Sequence, residues 1–229
     1  MELFSTLTKM PAYLNNQVEY MLTTDNDYLK INPLIGRQIS ILFVNEKYCS
    51  SCGNKFQDLY RMGFCKNCFF ESPMAGESII RPELSTAHEG VADRDLAFEK
   101  ELQLQPHVVY LAASGGLKVG VTRQTQIPTR WIDQGASSAI LLAKTSNRFE
   151  AGMIEVAMKE HVADKTVWQR MLKNEDNDYD LLAEKERLAP LVPEDFKKFV
   201  TDDNAITTLE FPVTNYPSKV KSINLDKIP

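Results

Sequence analysis

The sequence predicts an α+β protein in two parts: an N-terminal β region with a zinc ribbon, then a short, mostly antiparallel sheet flanked by helices. Three observations lead there. Two Cys-x-x-Cys pairs stand close together, at Cys49/Cys52 and Cys65/Cys68. A β-branched and aromatic run at residues 108–112, a Ser114-Gly-Gly116 turn and a second run at 117–121 read as a hairpin. Beyond it, helical apolar spacing alternates with strand composition as far as residue 213.

Residues 1–30 are mixed. Leu14, Val18 and Met21 have helical spacing, whereas residues 20–24 suit a strand before a turn at 25–27. Residues 28–31 and 38–44 read as strands around the Asn32-Pro-Leu-Ile-Gly36 turn, which predicts a small antiparallel sheet. The cysteine segment spans 49–68, and residues 71–105 read as a polar connector with one short helix near its end. This sets the first part at 1–105 and the second at 106–229.

In the second part Pro128 suits the first turn of a helix and Gly135 its end. Residues 139–143 read as a buried strand. Asn147 can cap a helix whose apolar positions are Phe149, Met153, Val156 and Ala157. A helix at 165–173 should turn Trp168, Met171 and Leu172 inward, followed by an acidic loop at 174–180. Helices at 181–191 and 193–200, a strand at 206–213 and an extended tail complete the order.

Hydrophobic residues make up 43% of the 229, enough to bury a real core. No apolar run reaches the roughly eighteen residues a membrane helix needs, and the start lacks signal-peptide character, so the expected compartment is the cytoplasm. The net charge of −5 argues against non-specific coating of nucleic acid. Residues 107–173, however, hold nine Lys/Arg against five Asp/Glu, a basic module in an acidic chain.

All four cysteines lie in the two pairs, separated by twelve residues. Each short turn aims two thiolates at one tetrahedral centre, the arrangement of a structural zinc site. A pair of disulfides is the rival, disfavoured in a reducing compartment. A closed four-thiolate site leaves no position for water, so its expected work is folding the ribbon. The alternative is a ribbon presenting Lys47, Lys55, Arg61 and Lys66 to nucleic acid.

The stretch from His107 resembles the GIY-YIG nuclease superfamily over a quarter to a third of the chain. Val108-Val-Tyr110 stands where the first triplet would be and Lys118-Val-Gly120 where the second would be. Arg130 matches the helix arginine, and Glu155 the metal-binding glutamate of the next helix. The whole chain also resembles a bacterial family that joins a zinc ribbon to such a core, a resemblance that supplies no substrate. The superfamily likeness implies magnesium-dependent cleavage of a nucleic-acid phosphodiester. Tyr110 would orient water, Arg130 bind the phosphate and Glu155 hold Mg²⁺, with Lys118 replacing the second tyrosine. Arg123, Lys144 and Arg148 are the candidates for further contact with nucleic acid.

Each residue also has an ordinary reading: Tyr110 as a core aromatic, Arg130 paired with Asp133, Glu155 with Lys159 as an i, i+4 pair. The alternatives to a nuclease are a non-catalytic nucleic-acid-binding module and, given the acidic flanks, a protein–protein adaptor. His107 and His161 flank the stretch and could assist a proton transfer. No phosphate-cradling loop, His-Glu-x-x-His helix or Gly-x-Ser-x-Gly elbow is present.

Overall fold

The computed structural model describes residues 4–24, 27–163, 165–175, 177–222 and 224. Strands β1 (Ala12–Leu14), β2 (Val18–Thr23) and β3 (Tyr28–Lys30) pair as an antiparallel meander. A second antiparallel pair, β4 (Lys47–Tyr48) and β5 (Lys55–Phe56), precedes helices α1 (Lys66–Glu71), α2 (Glu77–Ile80) and α3 (Leu96–Gln103). There follow β6 (His107–Ala113), β7 (Leu117–Arg123), α4 (Thr129–Asp133), β8 (Ser138–Thr145) and α5 (Arg148–Met158). Helices α6 (Trp168–Leu172) and α7 (Leu181–Leu188) and strand β9 (Ile206–Thr208) complete the chain. The class is α+β, as expected.

The main sheet has the order β7-β6-β8-β9, antiparallel throughout, and every residue of its inner strand β6 is buried. A strand covered on both faces has no polar side to alternate with, which accounts for its continuous apolar run. Val109 and Leu111 join Ala151, Ile154 and Met158 of α5 and Leu181 and Leu188 of α7 in one core. Val108, Tyr110 and Ala112 join Trp131 and Ile132 of α4 in the other, which also takes in Ala12 and Val18. The N-terminal meander therefore packs on the main sheet. The boundary at residue 105 separates motifs, not cores.

Helix α5 begins where the sequence placed it. The Asn147 side chain accepts from the Glu150 N–H at 3.0 Å, and the Glu150 carboxylate accepts from Ser146 N–H at 2.9 Å, satisfying two donors at this end. Its Gly152 lies against the Pro82–Leu84 turn; a Cβ there would come 2.5 Å from the Pro82 carbonyl carbon and nearer still to the Glu83 nitrogen. One turn earlier, Arg148 donates to the carbonyls of Ser78 and Ile79, at 2.7 Å each.

Several elements differ from expectation. Residues 38–44 form no strand: they pair with none of the strands, and Ile41 and Leu42 are exposed. Strand propensity measures fit to a pleated, half-buried surface, and without a neighbouring edge it has nothing to act on. The connector holds α2 as well as α3, with short 3-10 turns between them. The helix expected at 193–200 is a 3-10 turn, Glu194–Phe199, and the strand at 206–213 shortens to β9. On α6 only Met171 turns inward, its side chain packing over Gly135, while Trp168 and Leu172 are exposed. The turn at 25–27 and the tail beyond 219 fall partly outside the described residues.

Replacing Gly152 by alanine should push α5 off the Pro82–Leu84 turn and cost about 1–3 kcal/mol of stability. Chemical denaturation would read this as a lower midpoint at unchanged slope; an unchanged midpoint would contradict the close contact.

Candidate functional site

Tyr110 lies directly opposite Gly120 of β7, and its ring fills the space a side chain would take: a Cβ there would meet the phenol oxygen at 2.6 Å. Trp131 packs edge-on at 5.9 Å, and the phenol donates to the Gln134 side-chain oxygen at 2.6 Å. Gln134 follows Arg130 by four residues, one helical turn, so α4 delivers both to Tyr110. The Arg130 guanidinium acts electrostatically on the phenol and remains exposed.

Glu155 reaches the same place from α5. It is buried, its carboxylate lies 3.5 Å from Lys159, and it acts electrostatically on both Tyr110 and Arg148. The ordinary i, i+4 pair is thus present, alongside an electrostatic contact with Tyr110. Arg123, the last residue of β7, sits across the hairpin from His107. Electrostatic contacts therefore link Tyr110, Arg130, Glu155 and Arg148, while Arg123 acts on Arg148 and His107 from the other face of β7.

Three candidates are placed differently. Lys118 lies two residues before Gly120 on the same face of β7, buried, with its ammonium 3.2 Å from the Thr166 hydroxyl. Lys144 is on β8 and pairs with Asp203 at 3.1 Å, in surroundings shared with Lys185. Arg148 adjoins the site, but two of its N–H groups are committed to the α2 carbonyls, so it is a half-buried tie between α5 and the connector. Of the two histidines considered, His161 is exposed beyond α5 and His107 is buried at the start of β6.

The family profile described as "Protein of unknown function (DUF2797)" matches residues 36–229. The chain belongs to this family. No curated protein and no solved structure matches it. The matched span contains the four cysteines and every residue of the cluster around Tyr110.

Electrostatics sets what this DUF2797 cluster can do. Burial, helped by Glu155, pushes the Tyr110 phenol up to about 12 although Arg130 and Gln134 pull it down. Burial together with Arg123 and Arg130 brings Arg148 down to about 10, opposed by Glu155 and Glu83, so it stays a cation at neutral pH. Burial, with Arg148 and Arg123 facing it, lowers His107 to about 4 despite the Gln105 carbonyl. Its Nδ1 lies 2.7 Å from that carbonyl, the place of a donor, which leaves Nε2 as a buried acceptor without a partner. Arg130 and Arg148 around one carboxylate and one phenol, with Arg123 close to Arg148, make the locality anion-attracting.

The sequence did not point to Gln134 or Glu83. The four-residue step from Arg130 could have found Gln134. Glu83 comes from the connector, and nothing in the sequence around it suggests chemistry.

In the ribbon, β4 runs into Cys49, while Cys65 and Cys68 sit at the start of α1. The four sulfurs lie within 4.8 Å of one another and are unbridged. Backbone N–H groups of Cys65 and Ser51 point at Cys49 Sγ, at 3.2 and 3.5 Å. Burial raises the Cys49 thiol, but these donors and the Cys52 N–H outweigh it, to about 6. Such a cluster can hold a metal ion such as zinc, whose tetrahedral thiolate shell has this size. Among the described residues no helix is long and apolar enough to cross a membrane.

His107 makes stability depend on pH. Its folded value lies below the ordinary one, so the stability it contributes is present above about 6.5 and lost as pH falls through about 4. Relative to wild type, His107→Gln should flatten the loss over that window, by on the order of 2–3 kcal/mol. Denaturation midpoints at a series of pH values check this; parallel curves would contradict it.

Proposed function

We propose that this protein binds a nucleic-acid phosphodiester at Tyr110, Arg130 and Glu155 and hydrolyses it with magnesium, in the manner of the GIY-YIG nucleases its sequence resembles. The observation that carries the reading is convergence. Three residues from β6, α4 and α5, chosen for their order in the sequence, bear on one another in space.

Arg130 offers an exposed planar fork matched to phosphate oxygens, and Arg123 a further cation near Arg148. Tyr110 keeps its proton to about 12, so at neutral pH it works as a hydrogen-bonding group that orients water, not as a ready-made base. Glu155 supplies a single hard oxygen donor. That suits Mg²⁺, which keeps most of its waters and takes its other ligands from substrate phosphate. Bound there, the ion would neutralise phosphate charge and acidify water. Zinc on Cys49, Cys52, Cys65 and Cys68 would fold the ribbon, with about 10–16 kcal/mol of apparent binding energy. Unbridged thiols fit a reducing compartment such as the cytoplasm.

A second reading, a non-catalytic nucleic-acid-binding module, is favoured by Lys118. Where the nucleases carry a second tyrosine, this chain has a buried lysine bonded to Thr166.

The test is cleavage of labelled single-stranded, double-stranded and branched DNA and RNA by zinc-loaded protein, with and without Mg²⁺. Arg130→Ala and Glu155→Gln should each lower the rate about 10²–10³-fold. Wild-type cleavage by Glu155→Gln would overturn the site assignment. Salt-sensitive binding without cleavage would leave the second reading.

A further inference from the structure

The ribbon carries an aromatic cluster outside the proposed site. Tyr60, Phe69 and Phe70 pack together with ring centres 5.1, 5.7 and 5.3 Å apart. Phe69 borders the ribbon core formed by Cys49, Phe64, Cys65 and Ala75. Tyr60 and Phe70 lie outside that core and are 44% and 55% exposed. The Arg61 guanidinium stands 5.5 Å from the Tyr60 ring centre and 6.0 Å from that of Phe69.

This surface is held firmly from behind. Tyr60 N–H donates to the Phe64 carbonyl at 2.7 Å, and Arg94 donates to the carbonyls of Phe69 and Ser72 at 2.7 and 2.6 Å. The Arg94 backbone in turn is anchored on the buried carboxylate of Glu99, at 2.7 Å. Rings fixed in this way lose little entropy when something stacks on them.

The charges are also unevenly satisfied. Lys47 pairs with Asp58 at 3.0 Å and Lys55 with Glu46 at 2.5 Å. Arg61, which stands over the rings, and Lys66, which lines the neighbouring cavity, have no ion pair among the described residues. A cavity of about 340 Å³, enough for one nucleobase, opens between Phe56, Leu59, Tyr60, Cys65, Lys66 and Asn67, its one acid, Asp58, being paired with Lys47. Exposed π-faces bordered by unbalanced cations match a flexible polyanion whose own rings are free to stack.

We propose that Tyr60, Phe70 and Arg61 form a stacking platform for single-stranded nucleic acid, with Lys66 meeting its phosphates. The proposal rests on nucleic acid being the ligand of the Tyr110 site, and adds the strand type and a second contact surface. A duplex keeps its bases stacked on one another and offers the platform nothing; a single strand offers every base, without regard to sequence.

The experiment is fluorescence anisotropy with the full zinc-loaded chain in the absence of Mg²⁺, titrating a labelled oligo-dT and a duplex of equal length. Tyr60→Leu and Phe70→Leu keep apolar bulk and remove the π-face, and zinc content and unfolding midpoint are read for each. The expected result is tighter binding of the single strand, weakened about tenfold by each substitution at unchanged zinc content and midpoint, with duplex binding little altered. Leucine variants that bind oligo-dT like wild type would overturn the platform, as would a wild type that prefers duplex or binds neither. The cleavage reading fails separately: normal oligo-dT binding by both leucine variants alongside loss of cleavage in Arg130→Ala removes the platform and leaves the nuclease. Weakened binding in a protein that cleaves nothing does the reverse.

Discussion

Helix α5 lies against the Pro82–Leu84 turn at a separation that only glycine permits at position 152, and the placement of Glu155 depends on that contact. Gly152, Arg148 and Glu155 are spaced so that one face of the helix carries all three. Arg148 ties that face to the α2 carbonyls, Gly152 sets its distance, and Glu155 is delivered beside Tyr110. On the other side of the helix, Ala151, Ile154 and Met158 fill the core over Val109 and Leu111. The hydrophobic face gives α5 its stability, and the glycine face gives it its position.

Gly120 plays the matching part on the sheet. Its missing side chain lets the Tyr110 ring lie across β7, where α4 presents Arg130, Trp131 and Gln134 to it. Two close approaches, each at a glycine, thus bring a phenol, a guanidinium and a carboxylate from three elements to one place. The surrounding arginines leave the place short of negative charge, the condition under which a phosphate is drawn in and a single carboxylate is not repelled by its own kind. The ribbon is built by other means, with a small apolar core around four sulfurs instead of a long buried strand.

Where the chain's local pattern determines an outcome, the sequence was sufficient. The β6–β7 hairpin, the Pro128 helix start and the Asn147 cap each rest on a few neighbouring residues, and each is present. The nearness of Tyr110, Arg130 and Glu155 was legible through the order of a resembling superfamily, which stood in for distance. Long-range pairing was not legible. Nothing local reveals that Lys144 pairs with Asp203, or that Arg148 turns back to Ser78 and Ile79 in the connector. Residues 38–44 show the opposite failure, strong strand composition with no edge to join. Glu83 enters the site's electrostatics only through the docking of α5, which no spacing in its own segment encodes.

Anomalous diffraction from crystals grown with Mn²⁺ and a short oligonucleotide would show whether a metal ion and a phosphate meet at Tyr110, Arg130 and Glu155. If the proposed function holds, the ion lies on the Glu155 carboxylate, with a phosphate between it and Arg130 and the Tyr110 phenol alongside. Glu155 engaged only by Lys159 and Arg148, with the ion and the nucleic acid elsewhere, would contradict it.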